Sequence, residues 1–204
     1  MKIEGKATYT DIKGVEYPIK GRGSLPDDIS LKDLKVSGKI SFGEISCDKI
    51  TIDGECNGKV FSAENISIKG TAEIDSVNAK DFLQIKGKPE IKKIVAAEVM
   101  IESRGGKIGT VNCSKIKIFH GENHDCGSIL SNIFGGKSFQ NNSRVQIKNI
   151  DAQKINLQNC EVEEIHCKDA VINSNCVIEK LFVEGECEIA ADSKVGETIR
   201  KEGL

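Results

Sequence analysis

The sequence has few aromatic residues: Trp is absent, and Phe, Tyr and Trp together make up 4% of its 204 residues. A core must therefore be assembled from aliphatic side chains, Ala and Cys, which favours thin, regular layers over a large globular interior. Pro occurs three times and Gly 20 times, which fits a chain that turns often. The hydrophobic content of 38% is enough for one continuous core, so we expect one domain or one repeat array.

The sequence also lacks an excess of charge of either sign. Its formal net charge is -2, and its pI is about 6.0. Nucleic acid is therefore not an expected partner, because there is no positive excess to condense on a phosphate backbone. The N-terminal segment has no apolar signal region, and no segment approaches the roughly 18 apolar residues that a membrane span needs. We therefore expect a cytoplasmic protein without a membrane span.

The common catalytic motifs are missing too. The sequence contains no Gly-x-Ser-x-Gly, Walker loop, dinucleotide fingerprint or His-Glu-x-x-His, so nucleophilic, nucleotide and zinc-protease chemistry lack support. We therefore expect a protein that is not an enzyme and needs no cofactor.

What the sequence does contain is an internal repeat of mostly 15 to 17 residues, with one longer spacing of 39 residues. A large apolar residue precedes each member of the repeating column by two positions, as Ile45 precedes Cys47. Self-similarity at such a period is typical of solenoids. The column consists of Leu31, Cys47, Ala63, Ala79, Ala96, Cys113, Ala152 and Cys167.

Each repeat carries three short apolar-x-apolar pairs, such as Ile50/Ile52 and Ala72/Ile74. Alternation with period two indicates extended chain with one buried face, and three such stretches make one triangular coil. We therefore predict a right-handed parallel β-helix of about eight or nine short coils over residues 29–195. The left-handed hexapeptide helix is the nearest alternative, but it repeats every six residues and about eighteen per coil. An α-helical reading fails because Gly and β-branched residues interrupt every window.

Seven of the eight cysteines fall into the repeating columns. Cys47, Cys113 and Cys167 share a column with Ala63 and its equivalents, and four others share the column of Ala72. Buried Cys behaves as a small hydrophobe, so these residues are interpreted as reduced core residues. The four are Cys56, Cys160, Cys176 and Cys187. Cys160 and Cys176 are placed in adjacent coils, close enough for artificial oxidation.

The long spacing holds an insert, residues 119–144. The insert is interpreted as solvated polar chain without a metal. The alternative is that His120, His124 and Cys126 hold a transition metal, in a metal-binding or enzymatic β-helix protein with its site at the insert. A short helix over Ile129–Phe134 is a further expectation, because its apolar residues have helical spacing. His166 falls at an outward position of the repeat and is expected at the surface.

The two ends are expected to differ. Residues 1–28 are predicted to cap the solenoid with a hairpin around Asp11–Gly14, whereas residues 196–204 form a polar tail without a convincing cap. An uncapped solenoid end must be covered or used for association. We therefore predict that the C-terminal coils self-associate. The residues predicted to form this contact are Leu181, Phe182, Val183 and Ile189.

Three Gly-punctuated segments, Val36–Ile40, Ile45–Gly54 and Phe61–Gly70, resemble the bactofilins, bacterial polymer-forming cytoskeletal proteins with a right-handed β-helix core. The resemblance implies nucleotide-independent, end-to-end polymerisation into non-polar filaments that serve as platforms for cell-envelope or morphogenesis proteins. It transfers no catalytic residue. The chain differs from the family pattern in its large insert, its predicted N-terminal cap and its lack of an apolar membrane-targeting N-terminus.

Overall fold

The computed structural model describes residues 3–8, 16–24, 28–120 and 144–200, with side chains from residue 33 onwards. Within these ranges the chain is all β, without a helix. The predicted helix over Ile129–Phe134 lies outside the described residues. The strands are β1 (Ile3–Thr8), β2 (Glu16–Ser24), β3 (Asp28–Glu102), β4 (Gly106–Phe119), β5 (Val145–Leu157), β6 (Cys160–Ile172), β7 (Val177–Val183), β8 (Cys187–Ile189) and β9 (Lys194–Arg200).

All of the strands pair in parallel, and successive strands pair with each other along one sheet from β1 to β7 and then β9, while β8 pairs with β6. The registers follow the repeat of the sequence: Ile94 pairs with Val111, Val111 with Ile150, and Ile150 with Ile165. The 39-residue spacing therefore leaves the stack in register across the insert. The fold is a stack of coils in a parallel β-solenoid, as the repeat predicts.

The core is a single continuous cluster of aliphatic residues, Cys and Phe. The predicted apolar columns are buried, including Leu83 and Ile85, where the repeat slips by one position. Phe42 and Phe61 stack at a centroid distance of 4.1 Å inside the first half of the solenoid. Because each coil is thin, burial of its side chains requires the coils on both sides.

A column of glycines turns one corner of the solenoid. Gly38, Gly54, Gly70 and Gly87 all have positive φ, between 125° and 143°, a region that L side chains rarely adopt. A Cβ on any of the last three would also collide with the carbonyl oxygen of the glycine one turn earlier. The corner therefore needs glycine for both its backbone conformation and its close stacking.

The N-terminal segment continues the solenoid, so the predicted hairpin is wrong. A hairpin needs antiparallel strands, whereas β1 and β2 pair in parallel, with Ile3 opposite Ile19 and Ile19 opposite Val36. Gly5 and Gly21 are likewise in register with the glycine column. The sixteen-residue offset between paired residues adds a turn to the stack. In this turn β2 pairs with β3 on one side and with β1 on the other, so its backbone groups are hydrogen-bonded on both edges.

Candidate functional site

The C-terminal end of the solenoid consists of β8 and β9, which we call the terminal turn. β8 pairs with β6, and β9 pairs with β7 through residues 194–200, beyond the predicted limit of the solenoid at residue 195. No described strand pairs with the outer edges of β8 and β9. An edge strand presents unpaired N–H and C=O groups, which makes it a template for pairing with another chain.

The structure separates the four residues that the sequence predicts for self-association. Leu181 and Val183 have no exposed surface, because they belong to the core. Phe182 is half-buried on the side of the solenoid, where its ring stacks on His166 at 4.3 Å. Ile189 lies on the terminal turn and keeps 42% of its surface exposed. Of the four, Ile189 is therefore the one placed to make a contact through the end.

Two polar residues of β9 explain why Leu181 and Val183 are covered. Thr198 is in register with Leu181, and Arg200 is in register with Val183. Polar residues in core columns do not extend the apolar repeat, so sequence reasoning missed this strand. They also give one face of the terminal turn a polar outer layer, as terminal repeats of solenoids require for solubility.

The other two faces of the terminal turn are apolar. Ile189 continues the column of Ile172, and Val195 continues the column of Ile178. Cys187 and Val195 are partly buried against the core. Burial raises the pKa of the Cys187 thiol, and the charge of Arg200 opposes this rise. The end of the solenoid is therefore a mixed surface, apolar on two faces and polar on the third.

A groove of about 620 Å³ runs along the side of the last coils. Its lining includes the small residues Cys113, Ala152 and Cys167, together with the ring pair His166 and Phe182. Nε2 of His166 lies 2.8 Å from Oε1 of Glu164, and the ring is partly exposed, as predicted for an outward residue. Burial raises the pKa of Cys113 and of Cys167 to about 12. These thiols stay protonated at neutral pH and are not activated nucleophiles.

A polar cluster, the polar corner, lies where the insert leaves and rejoins the solenoid. It comprises His120, Arg144, Asn159 and Asn175. Nδ2 of Asn159 lies 3.1 Å from Nδ1 of His120, and Asn175 Nδ2 donates to Asn159 Oδ1. The Arg144 guanidinium donates to Oδ1 of Asn175 at 2.6 Å and to its carbonyl oxygen at 3.1 Å. These hydrogen bonds tie the two ends of the insert to the corners of two later turns, at Asn159 and Asn175.

The three candidate metal ligands of the insert are only in part within the described chain. His120 is exposed and contacts Asn159, whereas His124 and Cys126 lie outside the described residues. Among the residues that the structure describes, no group of three or more His, Cys, Asp or Glu side chains could hold a metal ion. The metal site stays the alternative interpretation of the insert.

The cysteines in the described ranges form no disulfide; five are buried, and Cys113 and Cys187 are half-buried. This placement agrees with the predicted core columns except at Cys187, which pairs with Ala170 and therefore does not stand in its predicted column. Cys160 and Cys176 form the closest described thiol contact, with their Sγ atoms 3.6 Å apart. In the sequence, each of these cysteines directly follows an asparagine of the polar corner, Asn159 or Asn175. This Asn-Cys pair, repeated after sixteen residues, is the sequence signal that links the polar corner to the thiols.

Comparisons with protein-family models, curated proteins and solved structures found no match to this chain. In the described part of the chain, no helix is both long enough and apolar enough to cross a membrane.

Proposed function

We propose that this protein is a non-enzymatic structural scaffold that self-associates through the C-terminal end of its solenoid. The observation that carries the proposal is the exposure of Ile189 on a terminal turn whose outer edge has no described strand partner. Burial of apolar surface contributes about 25 cal/mol per Å², and pairing of the edges satisfies backbone groups at the same time. Both gains favour a second copy stacked on the end.

The geometry of a coil limits the strength of this contact. A stable specific interface buries about 800 Å² on each partner, and the end of a thin coil offers little more than a few side chains and the outer edges of two strands. Ile189 and Val195 supply the apolar part, whereas the exposed charges of the terminal turn have both signs, as at Glu197 and Arg200. We expect association that rises with protein concentration.

The proposal extends to the handedness and number of the coils, to the kind of polymer they form and to the cellular location of the protein. The coils wind in the right-handed sense, number about eight or nine and belong to a bactofilin-like polymer in the bacterial cytoplasm. The Gly-punctuated, in-register coils support this reading. The partners are further copies of this chain and cell-envelope or morphogenesis proteins, with no nucleic acid.

The decisive experiment compares Ile189→Lys with Val95→Lys. Val95 is the other exposed large hydrophobic residue of the described chain, with 37% of its surface exposed, but it lies on the body of the solenoid. Sedimentation velocity over a range of micromolar concentrations, with electron microscopy of the same samples, measures assembly. We expect the wild type and Val95→Lys to assemble and Ile189→Lys to remain monomeric with an unchanged circular dichroism spectrum.

Phe182→Arg separates an end contact from a side contact. Phe182 lies one turn below Ile199 and stacks on His166 at the side of the solenoid. Loss of assembly in Phe182→Arg but not in Ile189→Lys would show that the contact forms through the side of the solenoid and not through its end. A wild type that stays monomeric at every concentration would refute self-association.

A further inference from the structure

We propose that Cys160 and Cys176 are a reversible oxidation site, at which a small peroxide converts two thiols into a disulfide joining neighbouring turns. The proposal does not depend on self-association. It rests on the contact between the two thiols, on the polar groups around them and on the turns that cover them.

The backbone already holds the two cysteines at a distance suited to a disulfide. Glu161 pairs with Val177, so Cys160, the first residue of β6, stands next to Cys176, which directly precedes β7. Paired strands are about 4.8 Å apart, and disulfides span Cα separations of about 4.4 to 6.8 Å. The sulfurs must approach from 3.6 Å to about 2.05 Å. Small side-chain rotations supply this shift without movement of either strand.

The other described cysteine columns lack this adjacency. Cys113 and Cys167 share a column, but Ala152 lies between them, so two strand spacings separate their backbones. Cys56 stands in the same column as Ala72. The columns of Ala63 and Ala72 thus place these other cysteines beside Ala or another aliphatic residue, and Cys56 provides a matched control.

The surroundings assign different roles to the two thiols. Sγ of Cys160 donates a hydrogen bond to Sγ of Cys176. This bond lowers the pKa of Cys176 against the opposing effect of burial, and the Ser193 hydroxyl contributes in the same direction. The same contact, together with burial, raises the pKa of Cys160. Cys176 is therefore the thiol that ionises first and attacks, and Cys160 is the thiol that completes the disulfide.

A thin polar layer separates the pair from solvent. Cys160 and Cys176 have 0% and 1% exposed surface, but each directly follows an asparagine with left-handed φ, 54° at Asn159 and 61° at Asn175. Residues 173–175 form a turn that is only half-buried. Local opening of such a turn costs less than global unfolding and would admit a small oxidant but not a folded protein.

The reaction balances with hydrogen peroxide as the oxidant. The Cys176 thiolate attacks one peroxide oxygen, the O–O bond breaks, and the departing hydroxide takes up a proton and leaves as water. The resulting sulfenic acid then reacts with the Cys160 thiol. The S–S bond forms, the S–OH bond breaks, and a second water leaves with the proton of Cys160. Two thiols lose two electrons, which the peroxide gains.

Peptide mapping of peroxide-treated full-length protein tests the proposal. Free thiols are alkylated under denaturing conditions, and tryptic peptides are analysed before and after reduction with dithiothreitol. Peptide 169–180 contains Cys176, whereas peptide 155–168 contains both Cys160 and Cys167, so fragmentation of the linked pair must assign the partner. We expect a Cys160–Cys176 link that dithiothreitol removes, and a rise in Tm of about 5 to 10 °C on oxidation.

Two variants complete the design. Cys176→Ala should lose both the link and the rise in Tm, while Cys56→Ala should retain both. Ala occupies the same column at Ala72, so neither change disturbs the packing pattern. If Cys176→Ala fails to fold, the peptide map of the peroxide-treated wild type still tests whether Cys160 and Cys176 are linked. Free Cys160 and Cys176 after peroxide treatment, a sulfinic acid on Cys176, or links only to other cysteines would overturn the proposal.

Discussion

Asn175 donates a side-chain hydrogen bond to Asn159, sixteen residues earlier, and both residues have left-handed φ. Asn159 follows Leu157 by two residues, the position that Gly54 and Gly70 occupy after Ile52 and Ile68 in earlier turns. The last turns therefore replace a glycine corner with an amide ladder. Asn accepts this conformation more readily than other L residues, and its side chain supplies hydrogen bonds that glycine cannot make.

Substitution of Asn175 separates these two contributions. We expect Asn175→Gly to lower the free energy of unfolding by about 1 to 2 kcal/mol, because the side-chain bonds of Asn175 to Arg144 and Asn159 are lost while the backbone stays unstrained. Asn175→Ala should cost about 1 kcal/mol more, because Ala disfavours positive φ. Urea unfolding of both variants provides the measurement. Equal stability of the two would show that the backbone conformation contributes nothing.

Gly70→Ala should destabilise the solenoid by about 2 to 4 kcal/mol. Its φ of 126° is strained for any L side chain, and the added Cβ would meet the carbonyl oxygen of Gly54. Thr71→Ala, next along the chain and exposed, is the control and should change stability by less than about 0.5 kcal/mol. Thermal and urea unfolding measure both. A neutral Gly70→Ala would contradict the close stacking of the glycine column.

Phe61→Ala should cost about 3 to 5 kcal/mol. Phe61 has no exposed surface and stacks on Phe42, so truncation leaves a cavity between turns. The control is Phe119→Ala, because Phe119 is half-exposed at the end of β4 and contacts Lys117. We expect a cost below about 1.5 kcal/mol there. Similar losses for both variants would argue against a core continuous through Phe61.

Buried thiols should make the protein sensitive to alkaline pH. Burial raises the pKa of Cys56 from 9.0 to about 12, so the folded state holds its proton where the unfolded state loses it. The stability from this group is complete below pH 9.0 and falls as pH rises toward 12, by up to about 1.4 kcal/mol per pH unit.

The pH test uses Cys56→Ala, with urea unfolding measured from neutral to alkaline pH. Below pH 9 the difference in stability between wild type and variant should be constant, and above it the wild type should lose stability faster. Parallel curves across the whole range would contradict the raised pKa. The titrations of Tyr and Lys cancel in the difference between the two proteins, because both proteins contain these residues.

Most of the stack follows from the sequence because burial on one face repeats with a fixed period. Ile45, Ile50 and Ile52 are buried where the pattern places them, and the register across the insert follows from Val111 and Ile150. The hairpin prediction failed because two short apolar segments look alike locally whether they pair antiparallel or in parallel. Gly5 and Gly21, in register with Gly38, carried the missing signal.

The sequence by itself determined which residues face inward, because period-two alternation and the repeat spacing act locally and do not depend on distant partners. The tertiary structure decided what lies against each end and corner. It placed Thr198 and Arg200 over Leu181 and Val183, left Ile189 exposed, and brought the thiols of Cys160 and Cys176 into contact. These outcomes depend on the register between strands far apart in the chain, which backbone pairing fixes only when the coils stack.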